Sequence, residues 1–132
     1  MSFTYRHHYL RTLVGALPSP RVSRANDGAE LVRKCLKKLN DPSRFPPQLF
    51  ILWSTPSFQP YDTLLDGIHH ELEAQGLGSV PLLGSSVAVC LFEGDAHTNG
   101  AMLICLAISL FFWGGVIMPW LESGAWRGLI AQ

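Results

Sequence analysis

Small hydroxyl residues placed directly after apolar runs are the side chains of this sequence best placed to do chemistry. Gly84-Ser85-Ser86 closes the run Val80 to Leu83, and Ser54-Thr55 closes Leu49 to Trp53. At the end of a strand, backbone groups and hydroxyls can face a small molecule together. The competing reading of Gly84-Ser85-Ser86 is a strand-to-strand turn that needs a glycine, and that of Ser54-Thr55 is a capped turn. A nucleophilic Ser85 or Ser86 has little behind it. The GxSxG elbow is absent, no helix is expected after the serines, and His97 is the only nearby candidate base. A small serine hydrolase is therefore the weakest alternative, and no catalytic residue is assigned.

The remaining chemistry-bearing residues have structural explanations. A helical zinc pair needs histidines four apart, whereas His69 and His70 are adjacent and point about 100° apart on a helix. His7-His8 lies in the leader and His97 in a turn, so no metal ligand set is assigned. Asp62, Asp66 and Glu73 suit a solvated helix face and form no acid–base pair. Cys35, Cys90 and Cys105 are odd in number, widely spaced and set in apolar runs. They read as small buried hydrophobes in a reducing compartment. A glycine-rich phosphate loop is absent, and no cofactor is expected.

The elements that would position these residues follow from periodicity. Leu31, Val32, Cys35, Leu36 and Leu39 share one face of a helix from about Asn26 to Leu39, with Asn26 as its cap and Asn40-Asp41-Pro42 as its stop. The short apolar run Leu49 to Trp53, preceded by prolines, reads as a buried strand. Asp62 opens a second amphipathic helix that turns Tyr61, Leu64, Leu65, Ile68 and Leu72 inward and ends at Gly76 and Gly78. Val80 to Leu83 reads as a short strand. Val87 to Phe92 and Ala101 to Ala107 read as a hairpin around the turn residues Glu93 to Gly100. The expected fold is α+β: a mixed β-sheet with two amphipathic helices on one face, in the order α-β-α-β-β-β.

Composition supports a single folded unit. Of 132 residues, 48% are hydrophobic and 15% charged, which excludes a disordered chain. The net charge of zero hides an asymmetry: nine of the ten Lys and Arg lie in residues 1–44, where there are three acids. The Lys cluster has no aromatic residues interleaved with it, so nucleic acid is not an expected partner. Residues 1–24 hold no acid and several Arg and Ser, which reads equally as a disordered leader or as an organelle transit peptide. The expected location is intracellular, cytoplasmic or organellar.

One ordered set of segments resembles a known family. AELVRKCLKKL, PPQLFILWSTPSF, YDTLLDGIHHELEAQGLGSVPLLGSS and VAVCLFEGDAHTNGAMLICLA together are similar to the N-terminal part of the FIST domain family. The similarity covers about residues 25–107, and its most specific piece is the helix–VPLLGSS–strand succession. The family is a sensory module of signal-transduction proteins. The resemblance implies a non-enzymatic domain that binds a small ligand, amino acids being the suggested class. By that resemblance Gly84, Ser85 and Ser86 lie near the ligand, with Ser54 beside them. Val87-Ala88-Val89 departs from the polar residues that often follow in the family, and the family's C-terminal half has no counterpart here. The domain would thus be incomplete and its sensing function reduced or lost.

The tail, residues 108–132, points elsewhere. Ala101 to Leu121 is uncharged throughout, long enough for a transmembrane helix, and carries Trp113 and Trp120. A single-pass membrane protein with a soluble interaction module is the alternative. A strand over Ala101 to Ala107 would instead leave an apolar tail for a partner protein or a membrane. The same residues cannot be both strand and helix, and both readings stand at this stage.

Overall fold

The structure, a computed structural model, describes residues 10–110, 115 and 117–130. The fold is α+β, as expected, with a four-stranded mixed sheet, a two-stranded sheet and helices. In chain order, β1 is Leu10–Leu17, α1 Arg24–Leu36, β2 Pro47–Ser54, α2 Tyr61–Ala74 and β3 Leu82–Ser86. There follow β4 Cys90–Phe92, β5 Asp95–His97, β6 Ala101–Ile108, α3 Met118–Ser123 and α4 Arg127–Ile130. The larger sheet has the order β1-β6-β2-β3. β6 runs antiparallel to both β1 and β2, and β2 runs parallel to β3. It follows that β1, β2 and β3 all point the same way, and each of β1 and β2 is followed by a helix.

The alternation of each strand decides what the helices cover. One cross-sheet row holds Leu13, Cys105, Phe50 and Leu82, and the next holds Gly15, Leu103, Leu52 and Gly84. These rows face α1 and α2, whose Leu31, Val32, Cys35, Leu64, Ile68 and Leu72 complete the core. Burial of those side chains at helical spacing is what makes each helix stable, since short helices gain most of their stability from packing. α1 and α2 meet through glycines. A Cβ on Gly28 would run into the backbone of Leu64, and one on Gly67 into the carbonyl of Ala25. Glycine is required there by close approach.

Three expectations need correction. Leu10–Leu17, read as part of a leader, is instead β1, paired along its whole length with β6. Arg11 is exposed on this edge strand, while Leu13, Gly15 and Leu17 alternate inward. The domain therefore begins before residue 25; residues 1–9 of the leader lie outside the described residues. Second, the span 101–121 is not one membrane helix, because Ala101–Ile108 is β6, the strand hydrogen-bonded on both edges. An inner strand carries apolar residues on both faces, which gives the same uncharged run as a membrane helix. Among the described residues no helix is long and apolar enough to cross a membrane. Residues 111–114 and 116 of that span are outside the described ones. Third, the expected hairpin has a different partner: Cys90–Phe92 pairs with Asp95–His97 across Glu93-Gly94, and not with β6.

Smaller shifts have local causes. α1 starts two residues early because Ser23, not Asn26, caps it, its hydroxyl accepting the Asn26 N–H at 3.2 Å. Asp27 is buried rather than solvated, 3.2 Å from the Arg24 guanidinium. The unit also runs past Ala107. Ser109 is fully buried, and the Leu110 N–H donates to the Arg44 carbonyl at 3.0 Å. Cys35 and Cys105 are free thiols in the core, and the Cys35 thiol donates to the Leu13 carbonyl at 3.5 Å. Hydrogen bonding to the Cys35 thiol and burial push the Cys105 thiol far above the ordinary range.

β2 lies inside the sheet, as the sequence implies, but its neighbouring residues differ in burial. Phe50 is fully buried beneath the helices, whereas Ile51 faces the other side of the sheet beside Ile104 and Leu83 and is only half-buried. Phe50→Ala should cost about 3–5 kcal/mol through the cavity it leaves. Ile51→Ala should cost about half as much, because part of its surface already meets water. Urea unfolding of both variants measures the difference, and equal losses would contradict this assignment of faces.

Candidate functional site

A cleft of about 310 Å³ opens where the parallel strands β2 and β3 end and α2 begins. Its floor is Leu52, Leu82 and Gly84; its polar groups belong to Ser54, Ser86, Tyr61 and His69, with Leu65 between the last two. The location follows from the topology. Helices that follow parallel strands start at the strands' carboxyl ends and leave a crevice there.

Strand register decides which serines face the cleft. Ser54 pairs with Ser86, and Leu52 with Gly84, on the helix-covered side. Ser85 pairs with Trp53, so alternation turns its side chain to the opposite face, although the residue borders the cleft. Gly84 is not the turn glycine that the sequence alone allows. It lies inside β3, and a Cβ placed on it would meet no atom within 4 Å. Its small size leaves volume in the cleft.

The hydroxyls are held in different ways. Tyr61 Oη and Ser86 Oγ are 2.9 Å apart and tie the start of α2 to the end of β3. Thr55, fully buried, donates its hydroxyl to the Gly100 carbonyl at 2.9 Å, and its backbone N–H reaches the same carbonyl at 3.1 Å. The Val87 N–H donates to the Ser54 carbonyl at 3.0 Å. Ser54 is thus fixed from both sides by its backbone. Its own hydroxyl makes no hydrogen bond with a described residue and keeps accessible surface, although the residue as a whole is nearly buried. A hydroxyl so placed in a cleft is met by water or by a ligand.

The structure brings Ser54, Gly84, Ser85 and Ser86 to one cleft, as the sequence suggested. His97 is not among its residues. It stacks on Phe92 at 4.0 Å in the β4–β5 hairpin, its Nε2 buried and unpartnered. The histidine that does line the cleft is His69, and among the described residues no hydrogen bond joins it to Ser85 or Ser86. Tyr61, Leu65 and His69 were missed as a set. Their spacing at i, i+4 and i+8 was the available signal, since it puts all three on one helix face. Among the described residues no group of three or more His, Cys, Asp or Glu could hold a metal ion.

Two substitutions separate the hydroxyl that lines the cleft from the structural one. Ser54→Ala should leave the stability of the unliganded protein within about 0.5 kcal/mol of wild type, because its hydroxyl has no partner among the described residues. Thr55→Ala should destabilise by about 1 kcal/mol, because a buried hydrogen bond to the Gly100 carbonyl is lost while the residue 55 N–H still reaches it. Chemical denaturation compares them; a larger loss at Ser54 would contradict the assignment.

Scanning against protein-family models matches no family to this chain, and searching curated proteins finds no relative of it.

Proposed function

We propose that the chain is a non-enzymatic sensory domain that binds a small polar ligand in the cleft between β2, β3 and the start of α2. The observation that carries this reading is the polar lining of the cleft: the Ser54 hydroxyl, which makes no hydrogen bond with a described residue, lines it together with Ser86, Tyr61 and His69. A polar group left in that state is satisfied by what enters the cleft. The apolar floor supplies burial and the hydroxyls and imidazole supply orientation, a balance suited to a small metabolite. The FIST resemblance bears on the same strand ends and suggests an amino acid.

Thermal shift with each of the twenty amino acids tests this on the wild-type chain and on Gly84→Val. The valine side chain enters open space, so the variant should fold with stability within about 1 kcal/mol of wild type while the cleft is filled. One or a few amino acids should raise the wild-type melting temperature and leave that of Gly84→Val unchanged. Equal shifts in both proteins, or none in either, would reject the amino-acid reading.

A second reading concerns the tail. Leu110, Met118, Trp120 and Leu121 are 41–54% exposed, which favours a partner protein or membrane surface as their cover. Removing residues 111–132 should raise solubility and preserve the circular dichroism of the remaining helices and sheet. An unfolded truncated chain would instead place the tail in the core.

A further inference from the structure

We infer that the chain carries a second site, at the opposite end of the sheet from the serine cleft, for a small phosphate-bearing anion of two or more charges. Arg11 on β1, Lys38 just after α1 and Arg44 just before β2 converge on a cleft of about 240 Å³ together with Asn40, Asp41 and Phe45. Arg11 pairs in register with Ala107 and Leu17 with Ala101, so six residues of β1 separate the two ends of the sheet. At strand rise that is about 20 Å. The two clefts are distinct sites, and the second does not rest on the function proposed for the first.

The charges there are unbalanced. Three cations meet one carboxylate, which leaves a net charge of +2. Asp41 is already engaged: its carboxylate accepts the Ser43 hydroxyl at 2.8 Å and the Arg44 backbone N–H at 3.3 Å. The ion pairs of the described residues join Arg21 to Glu30, Arg24 to Asp27 and Arg33 to Glu71, and none draws on Lys38 or Arg44. The ion pairs among the described residues thus leave Lys38 and Arg44 without a carboxylate partner. The C-terminal end of α1 adds a partial negative charge nearby, smaller than the net charge of the cleft.

The cations are also positioned. The Arg11 and Arg44 guanidinium carbons lie 4.4 Å and 5.4 Å from the centre of the same Phe45 ring, which is itself 3% exposed. Stacking uses the face of a guanidinium and not its N–H edge, the part that matches phosphate oxygens. Lys38 Nζ spends one donor on the Val14 carbonyl at 2.8 Å, which fixes it at the rim and leaves two. With Phe45 occupied by guanidiniums, no other ring among the described residues of the cleft remains for a base to stack on. That favours a small anion over a nucleic acid strand.

Isothermal titration of the full chain with inorganic pyrophosphate at low ionic strength tests the site. Saturable 1:1 binding is expected, weakened at least about tenfold in Arg44→Gln and in Lys38→Gln, each of which removes a charge-assisted hydrogen bond. Lys37→Gln, an exposed change on the same helix end but outside the cleft, should bind as wild type. All three residues are exposed, and thermal melts verify that the variants stay folded. Competition by phosphatidylcholine vesicles doped with a phosphatidylinositol bisphosphate identifies a lipid headgroup as the source; its absence identifies a free phosphate compound. The proposal is overturned by the absence of saturable pyrophosphate binding, by an equal loss in Lys37→Gln, or by a single-stranded oligonucleotide binding where pyrophosphate does not.

Discussion

Two antiparallel ladders on one strand hold this fold together. β6 pairs eight residues with β1 on one edge and nearly its full length with β2 on the other. It carries Ala101, Leu103, Cys105 and Ala107, all fully buried. Without it, β1 has no partner and β2 keeps only β3, a five-residue edge strand whose residues are mostly exposed. A sheet reduced to β2 and β3 would be too small to bury the apolar faces of two helices. The contribution of β6 is long-range: it joins residues near the start of the described chain to residues 84 to 98 positions later. Contacts of that separation are made against a large loop-closure entropy, so the strand must be strongly apolar to hold.

The serine cleft inherits its geometry from that pairing. The first residue of β6, Ala101, sits opposite Ser54, and the preceding Gly100 carbonyl receives both donors of Thr55. Anchoring Thr55 fixes the end of β2, which in turn fixes Ser54 against Ser86. The helix side is set by the glycine contacts between α1 and α2, which bring Tyr61, Leu65 and His69 down over the strand ends. The cleft is therefore the meeting of a sheet end with a helix start, and most of its residues also hold the fold.

Much of this was legible in the sequence. Both amphipathic helices were visible because Leu31, Val32, Cys35 and Leu64, Ile68, Leu72 repeat at helical spacing. Ser54, Gly84 and Ser86 were visible because apolar runs end at them. β1 was not, because four short-range cues in residues 1–24 (no acids, several Arg, two prolines, scattered hydroxyls) describe an unfolded leader well, while the partner that makes Leu10–Leu17 a strand lies at the other end of the chain. β6 was ambiguous for a related reason: an inner strand and a membrane helix share the same uncharged composition, and only strand partners distinguish them. The β4–β5 hairpin was displaced because Asp95-Ala96-His97 is too polar to read as a strand. The expected turn, Glu93 to Gly100, shrinks to Glu93-Gly94, both at positive φ, because Asp95–His97 forms a strand. The basic cleft was hidden because its three cations are spread over residues 11 to 44 and meet only once β1 and β2 are aligned.

The whole fold depends on β6 being a strand shared by β1 and β2, and nuclear magnetic resonance of the backbone amides tests that directly. Cross-strand nuclear Overhauser contacts should link Leu13 with Cys105 and Phe50 with Cys105, and the amides of Leu103 and Cys105 should be among the slowest to exchange with solvent. Sequential amide–amide contacts of helical type through 101–108, with rapid exchange over 10–17, would contradict it.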